Sequence, residues 1–65
     1  MSELQAIATH PLVRLCFNWT HERWLFAEYY QHVQSRSEEL LSLRDVIERW
    51  RCTPYPVLFQ EMRNA

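Results

Sequence analysis

The sequence contains no glycine, and all seven of its basic residues are arginine. The absence of glycine argues against tight hairpins, phosphate-binding loops and any fold that needs positive φ at several positions. The absence of lysine has two explanations, a GC-rich genome or selection for interfaces, where the planar guanidinium stacks on rings and pairs carboxylates through two hydrogen bonds. What the chain lacks therefore argues against a phosphate-binding loop and leaves a role in protein binding open.

Disulfide frameworks and long apolar runs are also missing. Cys16 and Cys52 lie far apart and form no CxxC motif, which favours a reducing compartment. The N-terminus lacks the basic start and apolar core of a signal peptide, and no apolar run approaches the ~18 residues of a membrane span. We therefore expect a cytoplasmic protein with no membrane association.

Charge and length constrain the partners. Seven basic and eight acidic residues are spread along the chain, which gives no long-range electrostatic reason to bind nucleic acid. Residues 1–65 are expected to form a single helical domain, and a chain of this size buries only roughly 60% of its unfolded surface. Disulfides, metals or oligomerisation often supply the missing stability. With no sign of the first two, we predict a homodimer.

The stretch 19–33 organises the rest, since it carries five of the nine aromatic residues. At about 100° per residue, a helix here has an apolar stripe on one side and further apolar groups roughly 150° away. Such a helix needs two apolar neighbours, and a short chain is expected to supply only one of them. A second copy or another protein would be the other. The stripe consists of Trp19, Phe26, Tyr30 and Val33, and the opposite groups are Trp24 and Ala27.

Shorter helices are predicted before the central one. Ser2 and Gln5 match a capping box at the start of a first helix. The apolar run 11–18 fits a strand or a helix, and helix is favoured because the chain has too few strand-like stretches for a sheet. Asn18 or Thr20 is the expected N-cap of the central helix.

The second half predicts a helical hairpin. Ser35 and Glu38 match another capping box, so we expect a turn there and a helix over 38–51. One continuous helix over 20–52 is the alternative, less favoured because the apolar register changes across the junction. Thr53-Pro54 should end this helix and start the last one. The expected apolar faces are Leu40, Leu43, Ile47 and Trp50, with Val46 at the edge, and then Tyr55, Leu58, Phe59 and Met62.

Catalytic and metal-binding patterns are weak. His10, His21 and His32 recur every eleven residues, but that spacing is roughly 16 Å of helix, too far for two imidazoles to share a metal. Neither cysteine has a recognisable base or cationic niche, although arginines flank Cys52. HExxH, GxSxG and phosphate-loop motifs are absent from the sequence. We therefore expect no enzyme, no cofactor and no metal.

Trp24 and Tyr29 are the strongest candidates for an interaction site. They either pack beneath another segment of the chain or form part of an interface, where Trp, Tyr and Arg dominate binding energy. The predicted protein interface consists of Trp24, Ala27 and Tyr29, with Arg23, Glu28 and Arg36 as its polar rim.

A nucleic-acid contact is the alternative. Arg49 and Arg51 flank Trp50, and basic residues beside aromatics can pair with phosphates and stack on bases. Trp50 belongs to the predicted core face, however, so its neighbours should point to different sides of the helix. The hairpin also has the outline of a helix-turn-helix, but it lacks glycine in the turn and a basic recognition helix.

Together these patterns predict an all-α fold of three to four helices around a central helical hairpin, assembled as a homodimer. The expected function is protein–protein binding, as a regulator or inhibitor that blocks another protein, in the manner of phage host-takeover proteins and anti-activators. The alternatives are a helix-turn-helix-like DNA-binding regulator and a small subunit of a larger complex.

Overall fold

The structure, a computed structural model, describes residues 2–63, which form five α-helices where the sequence led us to expect three or four. Within these residues there is no β-strand, so the predicted all-α class is confirmed, including the helical interpretation of the run that begins at Pro11. The helices are α1 (Glu3–Ala8), α2 (Pro11–Cys16), α3 (Thr20–Arg36), α4 (Leu43–Cys52) and α5 (Tyr55–Arg63).

Side chains at the helix starts explain several of these boundaries. The Ser2 hydroxyl accepts a hydrogen bond from the Gln5 amide at 3.1 Å, as the predicted capping box requires. At α2, the His10 Nδ1 accepts from the Leu12 amide at 3.1 Å, and Pro11 follows at a position that has no amide partner to lose. His10 is therefore a helix cap.

The start of α4 differs from the prediction. Ser42 is the N-cap and accepts from the Asp45 amide at 3.2 Å, whereas Ser35 lies inside α3 and donates to the His32 carbonyl at 2.8 Å. The predicted capping box at Ser35 and Glu38 was thus wrong, because the Ser35 hydroxyl binds a backbone carbonyl one turn earlier within α3. Since residues 37–42 separate α3 from α4, the single helix over 20–52 is also wrong.

The connection between α3 and α4 is held by one amide side chain. Gln34 donates through Nε2 to the Leu41 carbonyl at 2.6 Å and accepts through Oε1 from the Leu41 amide at 3.3 Å. Both backbone groups of Leu41 are thereby satisfied outside a helix. This clamp turns the chain back so that α4 contacts α3.

Trp50 lies at the centre of the hydrophobic core. Its ring meets those of Phe17, Phe26 and Tyr29 edge-on, at centroid distances of 6.0, 5.8 and 5.3 Å, a favourable geometry for aromatic pairs. The prediction that Trp50 faces the core is confirmed. The buried cluster consists of Val13, Phe17, Phe26, Tyr29, Val33, Val46, Ile47, Trp50 and Leu58.

Two predicted face assignments were wrong. Trp19 is 64% exposed because it is the N-cap of α3, outside the helix whose stripe it was expected to join. Asn18 and Thr20 are accordingly not the cap. Leu40 is 96% exposed because it precedes α4, whereas Leu41 packs partly buried against the core.

The apolar sides of α3 are covered by other helices of the same chain. The most extensive helix pairing in the described residues joins α1 to α3, and α4 and α5 also contact α3. Ala8 and Ala27 are both buried, at 3% and 0% exposed, and such small side chains allow helices to approach closely. A second copy is therefore not required to cover α3, contrary to the reasoning from the sequence.

Candidate protein-interaction surface

The structure encloses two of the six predicted interface residues. Ala27 and Tyr29 have 0% exposure in the single chain, so a partner cannot touch them in this conformation. The prediction that these two residues belong to the interface is therefore corrected: they are core residues. The helix wheel put them at an angle from the main stripe, but it did not show that the same chain also covers that side.

Arg23 joins two helices. Its Nε donates to the Phe17 carbonyl at 2.8 Å, and a terminal nitrogen donates to the Arg14 carbonyl at 3.4 Å. These carbonyls lie at the C-terminal end of α2, where a positive charge is favourable. Arg23 thus links the end of α2 to the first turn of α3, a role that the sequence did not suggest.

The remaining predicted residues do not form one patch. Trp24 is 40% exposed and Glu28, one turn later, is exposed. Arg36 is also exposed, but it lies roughly 120° around α3 from Trp24 at about 100° per residue. A contact over Trp24 and Glu28 stays a prediction, and the larger surface does not assemble around it.

The Tyr29 hydroxyl is buried and forms no hydrogen bond with the described residues. Burial raises the pKa of Tyr29, and the negative charge of Glu61 adds to the rise, while Arg49 and Thr53, close by but outside hydrogen-bonding geometry, lower it in part. The phenol is therefore held in its neutral form more strongly than in water. This chemistry fits a core residue with one unsatisfied polar atom.

A cleft of about 520 Å³ lies between α3, α4 and α5. Its lining brings together two arginines, a histidine and one carboxylate, so the positive groups outnumber the negative one. Within residues 2–63, no group of three or more His, Cys, Asp or Glu residues is arranged to hold a metal ion. The cleft is lined by His32, Val33, Arg36, Ser37, Arg49 and Glu61.

A stacked aromatic pair stands out on the surface of α5. Tyr55 and Phe59 are 55% and 44% exposed, and their rings stack at 6.1 Å with an interplanar angle of 18°. Tyr55 also meets Trp50 edge-on at 6.2 Å, so the pair rests on the core. We call Tyr55 and Phe59 the α5 ridge. Both belong to the predicted apolar face with Leu58 and Met62, but only Leu58 is fully buried.

A small cleft borders each end of the α5 ridge, one of about 270 Å³ beside Tyr55 and one of about 390 Å³ beside Phe59. Each contains one arginine, and among the described residues no carboxylate lines either cleft. Arg51 also lines a neighbouring cleft that contains Asp45 and Glu48. The ridge is therefore an apolar surface with an arginine at each end. The first cleft is lined by Cys16, Phe17, Trp50, Arg51, Thr53 and Tyr55, and the second by Pro56, Phe59, Gln60 and Arg63.

Arg49 and Arg51, the residues of the nucleic-acid alternative, line different clefts. Arg49 belongs to the cleft between α3, α4 and α5, and Arg51 to the cleft beside Tyr55. The segment 37–42 between α3 and α4 is also longer than the 3–4-residue turn of a helix-turn-helix. The two arginines therefore do not form a single basic surface.

Comparison of the chain with protein-family models, curated proteins and solved structures finds no match. Among the described helices, none combines the length and apolar character needed to cross a membrane.

Proposed function

We propose that this protein is a small non-enzymatic interaction module that binds and blocks another protein, as phage host-takeover proteins and anti-activators do. The single observation that carries the proposal is the α5 ridge, a Tyr–Phe stack about half exposed in a chain of 65 residues. Contiguous exposed aromatic surface on a small soluble domain is typical of interaction sites, and Tyr is among the residues that contribute most to binding energy.

Rigid support makes the ridge suited to binding. Tyr55 is held between Phe59 and Trp50, and Trp50 in turn contacts the rings of Phe17 and Phe26. Side chains that are ordered before association lose less conformational entropy when a partner binds. The ridge therefore presents its apolar area at a lower entropic cost than isolated surface side chains would.

Affinity capture from lysate of the native host, with identification by mass spectrometry, tests the proposal. The wild-type chain is compared with a Tyr55→Ser/Phe59→Ser variant and with Leu40→Ser, a control that removes an almost fully exposed apolar side chain from the 37–42 segment. We expect wild type and Leu40→Ser to retain the same protein and the ridge variant to lose it. Equal capture by all three would contradict a binding role for the ridge.

Self-association stays a separate proposal. Covering α3 no longer requires it, but Trp19 and Trp24 remain 64% and 40% exposed. Light scattering on wild type and Trp24→Ala tests it: a dimer that Trp24→Ala dissociates would support association through α3. If the wild-type chain remained monomeric at high concentration, the homodimer proposal would instead be contradicted.

A further inference from the structure

We infer that the α5 ridge and its two arginine-containing clefts bind an acidic, apolar peptide segment of the partner, one that places carboxylates beside aliphatic or aromatic side chains. This inference rests on the proposed function and names the chemistry of the partner. Four residues carry it, spaced four apart along the chain in the order positive, ring, ring, positive: Arg51, Tyr55, Phe59 and Arg63.

The two guanidinium groups are available for a partner. Both arginines are exposed, and within residues 2–63 neither forms a hydrogen bond or salt bridge. Each lines a cleft that also contains a ring of the ridge, Arg51 with Tyr55 and Arg63 with Phe59. A carboxylate bound there would pair with a guanidinium while the neighbouring apolar group packs on the ring.

Carboxylate is the favoured ligand group because a guanidinium matches its geometry through two parallel hydrogen bonds. The helix between Tyr55 and Arg63 rises about 12 Å at ~1.5 Å per residue. Arg51 lies in the last turn of α4, just before Tyr55, so acidic residues at the two ends of a short apolar segment that covers both rings would meet the two arginines. The charge pattern sets the register of the segment, since like charges in the wrong register repel.

Two other occupants fit less well. In a two-fold dimer the ridge would face its own copy, which brings positive clefts towards positive clefts. Nucleic acid would match the arginines and the rings, but eight acidic residues against seven basic ones give the chain a net charge of −1 and therefore no long-range attraction for a polyanion. One arginine at each end of an apolar ridge is better matched by a short peptide with a carboxylate near each end.

A direct binding assay tests the inference. Fluorescein-labelled helical peptides carry leucine and phenylalanine on one face, flanked by glutamate in one peptide and by glutamine or lysine at the same positions in two others. Fluorescence polarisation with the full chain should show the glutamate peptide binding about tenfold more tightly than the lysine peptide at low salt. Raising the salt to about 0.5 M should remove most of that difference, because the Debye length falls.

Charge-reversed variants locate the site. Arg51→Glu/Arg63→Glu should weaken binding of the glutamate peptide about tenfold and strengthen binding of the lysine peptide. Arg14→Glu/Arg44→Glu, an equal charge change at two exposed residues that line neither cleft, should change the peptide preference little. Phe59→Ser should weaken all three peptides. Circular dichroism on each variant verifies that helicity is retained, as expected for exposed positions.

The inference would be overturned by equal affinity for the three peptides, by unchanged preference in Arg51→Glu/Arg63→Glu, or by tighter binding of a single-stranded thymidine oligonucleotide than of the glutamate peptide. Ridge-dependent dimerisation that excludes the peptide would do the same by assigning the surface to a second copy. The proposed function fails separately, when host capture does not depend on the ridge. If binding of the captured partner depended on Phe59 but not on the two arginines, only the acidic-peptide inference would be contradicted.

Discussion

Helices α3 and α5 are both rich in aromatic residues, yet the chain treats their rings in opposite ways. In α3, Phe26 and Tyr29 are 0% exposed, enclosed in the core around Trp50. In α5, Tyr55 and Phe59 are 55% and 44% exposed although they stack on each other and reach Trp50. The same residue types therefore serve the core in one helix and the surface in the other.

The helices that pack against each of the two explain the difference. The central helix has segments before and after it, so α1 covers one side while α4 and α5 contact it elsewhere. The last helix of the described residues is anchored through Leu58, which is buried, and Met62, which is partly buried. A helix packed along one narrow face leaves the edges of a wider apolar face in solvent. Aromatic density alone does not identify an interface.

The largest expected effect is a difference in stability between equivalent truncations in the two helices. Phe26→Ala removes a fully buried ring that contacts Phe17 and Trp50, and should lower the free energy of unfolding by about 3–5 kcal/mol. Phe59→Ala should cost about 1 kcal/mol or less, since much of the ring is already hydrated. Urea unfolding followed by circular dichroism measures both.

Phe26→Leu guards against a variant that is too unstable to analyse, because a volume-conserving apolar replacement should cost less than truncation. If Phe59→Ala destabilised the chain as much as Phe26→Ala, the ring on α5 would belong to the core in solution. The contrast between the two helices would then be lost.

Trp24→Ala sharpens the comparison within α3. Its side chain is 40% exposed, closer to Phe59 than to Phe26, so its truncation should cost about 1–2 kcal/mol, less than a buried Trp would. Chemical denaturation of a dilute, monomeric sample gives the value without a contribution from self-association. A loss above about 3 kcal/mol would instead identify Trp24 as a core residue of the single chain.

Much of the fold followed from local patterns. The capping box at Ser2, the proline at the start of α2 and the face containing Ile47 and Trp50 all depend on residues close in sequence. The start of α4 did not follow, because two serines offered similar local signals. In the structure Ser42 is the N-cap, and the residue before it, Leu41, is bound through both of its backbone groups by the side chain of Gln34. This contact joins residues seven apart in the sequence, so a local pattern does not reveal it.

The candidate site was harder to predict for the same reason. A helix wheel gives the angle of Tyr29 on α3, but whether that angle meets solvent or α4 depends on packing between distant segments. Likewise, Tyr55 and Phe59 were correctly grouped with Leu58 on one apolar face. The fraction of that face that the core covers depends on how the helices pack together, and the periodicity of the sequence does not predict it.

Arg23→Met tests how the chain encloses α3. The substitution keeps an unbranched apolar stem but removes the donors to the Phe17 and Arg14 carbonyls, and we expect a loss of about 1 kcal/mol. The exchange rate of the backbone amide hydrogens should rise most at the end of α2, because the last carbonyls of that helix no longer bind Arg23 and its final turn is less stable. Arg44→Met, at an exposed arginine with no such bond in the described residues, is the control and should change neither quantity.

The smallest expected effect concerns two tyrosines, one in each helix. Tyr29→Phe removes a buried hydroxyl that has no hydrogen-bond partner in the described residues, so at neutral pH stability should stay within about 1 kcal/mol of wild type or rise slightly. Burial raises the pKa of Tyr29 in the folded chain, which means that the unfolded chain releases this proton first as the pH increases. Wild-type stability should therefore hold up to about pH 10 and fall above it. Unfolding measured from pH 8 to 11 should show a shallower fall for Tyr29→Phe than for wild type, whereas Tyr55→Phe, at an exposed phenol, should follow wild type. An unchanged fall in Tyr29→Phe would mean that the hydroxyl of α3 is as accessible to water as that of α5.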